Sequence, residues 1–479
     1  MDLLLLLALT VAAASLILLL PRIFSRSSSS SLPLPPGPRG WPVVGNLPSL
    51  GEAPPDPRRH GEGLRPHLPP PAGIRAGGRR RLAGRRVAVL EDPRRQLLQP
   101  APQHGIELHG LRPAGPRVGA LRPAVADAEE DMLQPSFLPK ALDDSALLRH
   151  EEVAQLARSL VAAAARGGEE DGVRLDDHLT ACTANILTRA MLGRRLFALE
   201  GGDSGQEEAV QFREMTVELS HLAGVFMVGD FVPALRWMDS KEVVRRMKRL
   251  GDRYDVFLDK IIADHLSSDK EAEQDMLRLL MGLKDRAGAG EGVQLTDINI
   301  KALLLDLFNA GTDTSSSTLE WILAELVRHP DILAATQREL DAAAGTGRLV
   351  TEKDLSKTPL LQAIVKETLR LHPPTPLSLP HLAADACEVA GYHPDPAVWG
   401  DPLEFRPSRF LPGGEHAHID VRGNNFEVIP FGAGRRICAG MSLAMRVIQF
   451  TAATLVHGFD WAMPGGQSPR SWTWKRHMG

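Results

Sequence analysis

One cysteine in a glycine-rich segment is the residue of this sequence best suited to chemistry. The segment reads Phe431-Gly432-Ala433-Gly434-Arg435-Arg436-Ile437-Cys438-Ala439-Gly440. Glycines on both sides let the backbone turn tightly around the sulfur and approach a flat ligand closely. A thiolate held against a porphyrin iron donates electron density to the iron and favours cleavage of the O–O bond of dioxygen. Cys438 is therefore predicted to be a metal ligand, and a glycine-rich turn with an incidental cysteine is the alternative.

The surroundings of Cys438 suit a charged sulfur. A helix is indicated from Met441 to Thr454, so its N-terminus and the loop amides are expected to stabilise the thiolate. Arg436 is predicted to reach a haem propionate.

The other two cysteines, Cys182 in an apolar helix and Cys387 in a loop, lack this context and are interpreted as ordinary residues. Three scattered cysteines argue against a disulfide framework and favour a reducing compartment.

A second group of functional candidates, Ala310-Gly311-Thr312-Asp313-Thr314, lies within a long predicted helix. Hydroxyl side chains in mid-helix can bond back to the backbone and bend the helix, which would open a groove for dioxygen and water. Activation of dioxygen requires two protons, and the acid Asp313 beside the hydroxyl of Thr314 is a suitable relay. Taken alone, such a segment also fits a packing or kinking site.

Apolar residues at helical spacing predict the elements that must position these groups. The longest helix is expected to begin at the capping pair Thr296-Asp297 and to end at Pro330, a length of nearly 50 Å at about 1.5 Å per residue. Strand signals are few, so a mainly α fold is predicted. The other predicted helices are Leu147 to Ala165, Glu207 to Leu222, Lys241 to Leu266, Asp275 to Lys284 and Leu360 to Leu371.

The cysteine segment matches the pattern F-x-x-G-x-R-x-C-x-G at every fixed position, and the chain resembles the cytochrome P-450 family. The resemblance implies a mainly α cytochrome P-450 fold with a small β region, partly lost here, and haem b bound to the Cys438 sulfur. The A-G-x-D-T element of the family implies that Asp313 and Thr314 form the proton relay. The implied cofactor-binding residues are Phe431, Gly434, Arg436 and Gly440.

Glu367 and Arg370 stand three residues apart on one predicted helix, a spacing that is also common in weak surface ion pairs. In the family, however, E-x-x-R forms a buried network with the arginine of a P-E-R-F-like element, which implies Arg409 here. Ser408 replaces the usual glutamate of that element. These residues are expected to brace the haem-binding core and to take no part in catalysis.

The stretches Leu34 to Leu50 and Pro139 to Trp461 resemble plant microsomal members, and among these the flavonoid 3′-hydroxylases most. The resemblance implies hydroxylation of a flavonoid B-ring with dioxygen, and electrons from NADPH through a membrane-bound flavoprotein reductase. Family position alone makes four residues candidates for the substrate pocket: Ala310, Thr375, Leu377 and Leu379.

Three alternative functions remain. A flavonoid 3′,5′-hydroxylase would differ only in its products. A haem-thiolate isomerase or dehydratase needs no relay, so Asp313 and Thr314 argue against it. A non-catalytic remnant that no longer binds haem is the alternative from a different class. The formal net charge of −4 gives no basic field of the kind that binds nucleic acid, so no nucleic-acid partner is expected.

Four segments are predicted along the chain. Residues 1–20 are an anchor, because the run from Leu3 to Leu20 is uncharged and about 18 residues long, just enough to span a bilayer. Arg22 and Arg26 follow on the cytosolic side, which favours a retained single-pass anchor in the endoplasmic reticulum membrane over a cleaved signal peptide. Residues 21–51 are a proline-rich hinge, 52–136 an aberrant segment, and 137–479 an incomplete, cytosolic monooxygenase domain.

The aberrant segment departs most from the family. Glu52 to Pro123 contains thirteen prolines and fourteen arginines and is expected to be irregular. It lacks the W-x-x-x-R motif that holds a haem propionate in the family. Back-translation of Arg122 to Glu130, shifted by one nucleotide, can restore that motif, which favours a reading-frame shift. The junction His393-Pro394 looks like a deletion, and the stretch from Ala462 onward looks truncated.

Overall fold

The computed structural model describes a defined part of the chain, and all of it falls in one compact unit, Leu90–Asp385 with Pro396–Gly479. The described residues are 99–100, 139–166, 173–197, 211–212, 214–219, 221–222, 225, 227, 237–267, 275–287, 296–375, 381–382, 399, 401, 403–425, 427–434 and 437–462. The predicted anchor, the hinge, most of the aberrant segment, Cys387 and the His393-Pro394 junction lie outside these ranges.

The described structure is mainly α, as the sequence predicted. Among the described residues the helices are α1 Pro139–Asp144, α2 Ala146–Arg166, α3 Leu175–Leu192, α4 Lys241–Leu266, α5 Met276–Ala287, α6 Asp297–Arg328, α7 Pro330–Ala344, α8 Pro359–Leu371 and α9 Met441–Gly458. Short 3₁₀ turns cover Asp354–Lys357 and Pro407–Phe410. Both ends of α4 match the prediction. Helix α7 was not predicted, and it begins directly after α6 because Pro330 occupies its first position.

Helix α6 begins where the capping residues indicated. The Thr296 hydroxyl accepts a hydrogen bond from the Asn299 amide at 3.3 Å, and the Asn299 side chain accepts one from the Thr296 amide at 3.0 Å. This reciprocal capping box satisfies amides that the first helical turn leaves free. The helix then continues without interruption to Arg328, so its hydroxyl-rich middle does not break it.

The core of the described unit surrounds α6. Helix α6 packs against α3, α8 and α9, and its buried side chains include Leu304, Phe308 and Ile322. The approach of α3 is close at Gly311, since a Cβ atom there would lie 2.6 Å from Cδ1 of Leu187. Gly311, in the predicted relay segment, therefore also allows α3 and α6 to pack closely.

The described part of the chain contains one small sheet. Strand β1, Gln99–Pro100, pairs antiparallel with β2, His381–Leu382, with Gln99 opposite Leu382. The prediction that Glu52 to Pro123 is irregular throughout is wrong at these two residues, because pairing with a partner distant in sequence overrides local propensity. Within the described ranges, none of the helices combines the length and the apolar character needed to span a bilayer.

Candidate functional site

The loop before α9 folds tightly around Cys438. Gly432 and Gly434 have φ angles of 72° and 74°, a left-handed conformation that favours glycine. The Cys438 amide donates a hydrogen bond to the Phe431 carbonyl at 2.9 Å, which closes the loop on itself. The aromatic side chain of Phe431 packs against the apolar core. The backbone therefore fixes the position of the sulfur at the N-terminus of α9.

The Cys438 side chain is exposed, and two backbone amides are directed at its sulfur. Protein atoms around the thiol exclude enough water to raise its pKa, while hydrogen bonds from the amides of Gly440 and Met441 act in the opposite direction. A metal cation at the sulfur would favour the thiolate outright. An accessible soft donor with amides stabilising its charge fits a haem iron.

The other predicted haem contacts are placed only in part. Gly434 and Gly440 lie in the same loop as Cys438, and Gly440 immediately precedes α9. Arg436 lies outside the described residues, as do Leu377 and Leu379. The contact of Arg436 with a haem propionate stays a prediction.

The predicted relay lies on α6, the helix that packs against α9. The Thr314 hydroxyl donates to the Ala310 carbonyl at 2.7 Å, and the Thr312 hydroxyl donates to the Phe308 carbonyl at 2.7 Å. Both are bonds back to the preceding turn, as the sequence predicted. Ala310 is exposed and Thr314 is half-buried, so the relay segment is partly accessible to solvent.

Asp313 is exposed, yet neighbouring protein atoms partly desolvate its carboxyl, which raises the pKa of that group. A raised pKa increases the protonated fraction of the carboxyl near neutrality, which suits a group that must hold and release a proton.

Glu367, Arg370 and Arg409 lie together in the core. Arg370 donates to the Glu367 carboxylate through Nε at 2.7 Å and Nη2 at 2.8 Å, and Arg409 Nε lies 3.4 Å from Glu367 Oε1. The Glu367 and Arg409 side chains have no exposed surface. This is a buried charge cluster, not a surface pair, and it joins α8 to the turn Pro407–Phe410.

Sequence reasoning missed further partners of this cluster. Glu415 accepts a hydrogen bond from Arg409 Nη1 at 2.9 Å, and the Arg370 guanidinium lies 5.0 Å from the centre of the Trp399 ring. The Arg406 amide also donates to Glu367 at 2.9 Å. Glu415 carries no recognisable spacing signal, because its contact with Arg409 depends on the path of an irregular loop.

Thr375 and Ala310, two of the four candidate pocket residues, are described, and both are exposed. A separate cavity of about 430 Å³ lies between α2 and α9 and is lined in part by His150, Arg195 and Phe450. Its lining includes no residue of the cysteine loop or of the predicted relay, so it is not the candidate site.

Comparisons with known proteins identify the family and the fold of the chain. The family model described as Cytochrome P-450 matches residues 124–476. A solved zebrafish cytochrome P-450 structure with abiraterone shares the fold, with a TM-score of 0.60 and 22% identity over 78% of this chain and 84% of that chain.

Three curated plant relatives are similar over most of their length. A flavonoid 3′-monooxygenase of Crocosmia x crocosmiiflora is 48% identical over 93% of this chain and 89% of the relative. A flavonoid 3′-monooxygenase of Arabidopsis thaliana is 43% identical, covering 96% and 92%. A flavonoid 3′,5′-hydroxylase of Crocosmia x crocosmiiflora is 46% identical, covering 93% and 88%.

Proposed function

The chain belongs to the cytochrome P-450 family, and from this membership we propose that it is a monooxygenase that hydroxylates the 3′ position of a flavonoid B-ring. The observation that carries the reaction type is the exposed Cys438 sulfur, held at the start of α9 with two backbone amides directed at it. The relatives named flavonoid 3′-monooxygenase support the substrate class and the position.

Haem b supplies the iron that binds and activates dioxygen, with electrons from NADPH delivered through a flavoprotein reductase. Residues of the chain would hold the haem and position its iron. Cys438 would hold the iron, and Phe431, Gly434 and Gly440 shape the loop that presents its sulfur. Arg436 would contact a propionate.

Asp313 and Thr314 would supply protons from α6. The Asp313 carboxyl, whose pKa is raised, can release a proton toward the substrate side and take up another. The Thr314 hydroxyl is engaged with the Ala310 carbonyl in the described structure, and its oxygen remains an acceptor for a water. Ala310, Thr375, Leu377 and Leu379 would line the flavonoid pocket.

Expression of the full chain with a plant reductase in microsomes, followed by product analysis on naringenin, tests the function. A chimera that replaces residues 52–136 with the matching segment of the Arabidopsis relative should be assayed beside it. We expect a single added hydroxyl at the 3′ position. Activity confined to an unrelated substrate class would overturn the proposal.

The second candidate function is the 3′,5′-hydroxylase, favoured by the 46% identity of one relative of that name. The same product analysis separates the two, because it would show a second hydroxyl at the 5′ position. For a non-catalytic remnant, the haem-to-protein ratio of the purified chimera would stay near zero.

We further propose that the chain is anchored in the endoplasmic reticulum membrane by residues 1–20, with the catalytic domain in the cytosol beside the reductase. The uncharged run Leu3 to Leu20 and the following Arg22 and Arg26 support this placement. Deletion of residues 1–20 should shift the protein from the alkali-resistant membrane fraction toward the supernatant. Protease added outside intact microsomes should digest the domain.

A further inference from the structure

Helix α3 packs against the part of α6 that carries the predicted relay, and hydroxyl groups lie at the contact. The Thr183 hydroxyl of α3 donates a hydrogen bond to the Thr312 carbonyl of α6, with 3.2 Å between the two oxygens. One turn earlier in α3, the Thr180 hydroxyl oxygen lies 3.5 Å from the Ser316 hydroxyl oxygen. The three hydroxyl groups belong to residues outside the A-G-x-D-T element.

The contacts with α6 lie on one face of α3. Thr180, Thr183 and Leu187 are spaced three and four residues apart, which places side chains on the same face of a helix. Leu187 lies against Gly311 of α6, so residue numbers rise along α3 as they fall along α6. The two helices therefore run antiparallel where they touch. The Thr183 side chain is buried, so water does not compete for its hydrogen bonds.

The Thr312 carbonyl belongs to the same peptide group as the backbone nitrogen of Asp313. Because a peptide group is planar, the hydrogen bond from Thr183 restrains the plane from which Asp313 begins. A carbonyl oxygen has two lone pairs, so it can accept this bond in addition to one from a helix amide. On the other side of Asp313, the Ser316 hydroxyl donates to the Asp313 carbonyl at 3.2 Å. Hydroxyl groups thus restrain both peptide planes that flank Asp313.

The contacts with α3 leave the relay side chains accessible. Thr312 and Ser316 are both buried and are four residues apart, so they lie together on the face of α6 that meets α3. Asp313 is exposed and Thr314 is half-buried. Helix α3 therefore supports the backbone of the relay segment without covering its acidic side chain.

We propose that Thr183 is a positioning residue for the proton relay, because its hydrogen bond to the Thr312 carbonyl holds the backbone from which Asp313 projects. The proposal rests on the proposed monooxygenase function, and Thr183 acts through the α6 backbone. Its hydroxyl oxygen also lies 3.0 Å from the Leu179 carbonyl and 3.1 Å from the Thr180 carbonyl of its own helix. One hydroxyl hydrogen is shared among these acceptors, so its removal should weaken the relay without abolishing it.

Three variants separate this role from ordinary helix packing. Thr183→Val replaces the hydroxyl with a methyl group of similar size and removes the bond to Thr312. Thr183→Ser keeps the hydroxyl. Thr188→Val is the matched control, because the buried Thr188 hydroxyl donates to the Asn185 carbonyl of its own helix at 3.3 Å. Within the described part of the chain, Thr188 makes no hydrogen bond to α6, so this variant loses a bond inside α3 alone.

Hydrogen exchange of the full chain, followed by mass spectrometry, tests the contact independently of catalysis. The backbone amides of residues 312–318 should exchange severalfold faster in Thr183→Val, because the α6 backbone loses a restraint. In this segment Thr183→Ser and Thr188→Val should exchange like the unsubstituted chain. Equal exchange in Thr183→Val and the unsubstituted chain, or the same acceleration in Thr188→Val, would overturn the proposal.

The haem-loaded enzyme provides the second test. For Thr183→Val we expect a severalfold fall in product per NADPH, a matching rise in peroxide and a larger solvent isotope effect. The KM for the substrate and the Soret band of the reduced, CO-bound form should stay unchanged, and Thr183→Ser should recover most of the coupling. Undiminished coupling in Thr183→Val, no recovery in Thr183→Ser or equal losses in Thr188→Val would refute the positioning role.

Failure of the positioning role and failure of the proposed function give different results. Hydrogen exchange in α6 and peroxide release do not depend on which carbon of the substrate is hydroxylated. A product hydroxylated at another position would contradict the 3′ assignment and leave the comparison between Thr183→Val and Thr188→Val intact. If no flavonoid were hydroxylated, the proposed function would fail, and hydrogen exchange would still decide whether Thr183 restrains α6.

Discussion

The Thr314 hydroxyl donates a hydrogen bond to the carbonyl oxygen of Ala310, 2.7 Å away and one turn earlier in α6. The bond holds the hydroxyl close to the helix backbone, and its oxygen remains free to accept from a water. A side chain in this state can order a proton-carrying water without itself changing charge.

Thr314→Ala should therefore uncouple turnover. We expect product per NADPH to fall on the order of tenfold to a hundredfold, with peroxide released instead, because the ordered proton donor is lost. Thr318→Ala is a matched control, since the Thr318 hydroxyl makes the same kind of bond to the Thr314 carbonyl at 2.8 Å. Unchanged coupling in Thr314→Ala would contradict the relay.

Cys438→Ser should abolish the thiolate-type Soret band of the reduced, CO-bound protein, because Cys438 is the exposed cysteine in the glycine-rich loop. Cys182→Ala serves as the control. Cys182 is buried in α3, and burial holds the pKa of its thiol far above the ordinary value, so it cannot supply a thiolate. Persistence of the band in Cys438→Ser would show that the ligand has been misassigned.

Glu367→Gln should destabilise the fold by about 3–5 kcal/mol, because it leaves the buried guanidinium groups of Arg370 and Arg409 without their shared carboxylate. The control is Glu415→Gln. Glu415 also binds Arg409, but its side chain is 47% exposed, so a much smaller loss is expected because solvent screens the pair. Urea unfolding of both variants measures the difference, and equal losses would mean that burial of the cluster does not matter.

The stability of the fold should depend on pH through Asp354. Its carboxylate accepts from Arg348 at 2.7 and 2.9 Å and from the Thr351 hydroxyl at 2.7 Å, which holds its pKa well below the ordinary value. A carboxyl with a lowered folded-state pKa stabilises above its unfolded pKa, and this contribution is lost as pH falls through the folded value.

Asp354→Asn should thus lower the urea midpoint at neutral pH, and the difference from the unsubstituted chain should shrink below about pH 4. Asp252→Asn, at an exposed position of α4, should show little effect. If the difference in urea midpoint grew on acidification, the ionised Asp354 carboxylate would not be the group that stabilises the fold at neutral pH.

The full chain is expected to retain haem poorly, because the sequence lacks the W-x-x-x-R motif. A haem propionate left without its charged partner in a dry pocket costs on the order of several kcal/mol. The haem-to-protein ratio should rise when residues 52–136 are replaced by the relative's segment. The transcript across 52–136 and His393-Pro394 should show the frame shift and the missing segment. Stoichiometric haem in the unaltered chain would refute this expectation.

The sequence by itself determined the helices and the cysteine loop, because both depend on local chemistry. The capping pair at Thr296 marked the start of α6, and the apolar spacing of α4 gave both of its ends. Glycines around Cys438 predicted a tight turn, and two of them have the left-handed backbone that such a turn requires. The family followed from the same residues.

Only the tertiary structure decided which distant residues meet. The contacts of Arg370 with Trp399, of Leu187 with Gly311 and of Thr216 with Asn309 join residues far apart in the sequence. The spacing of residues along the chain does not predict such contacts, because the packing of the helices and the paths of the loops determine which side chains meet.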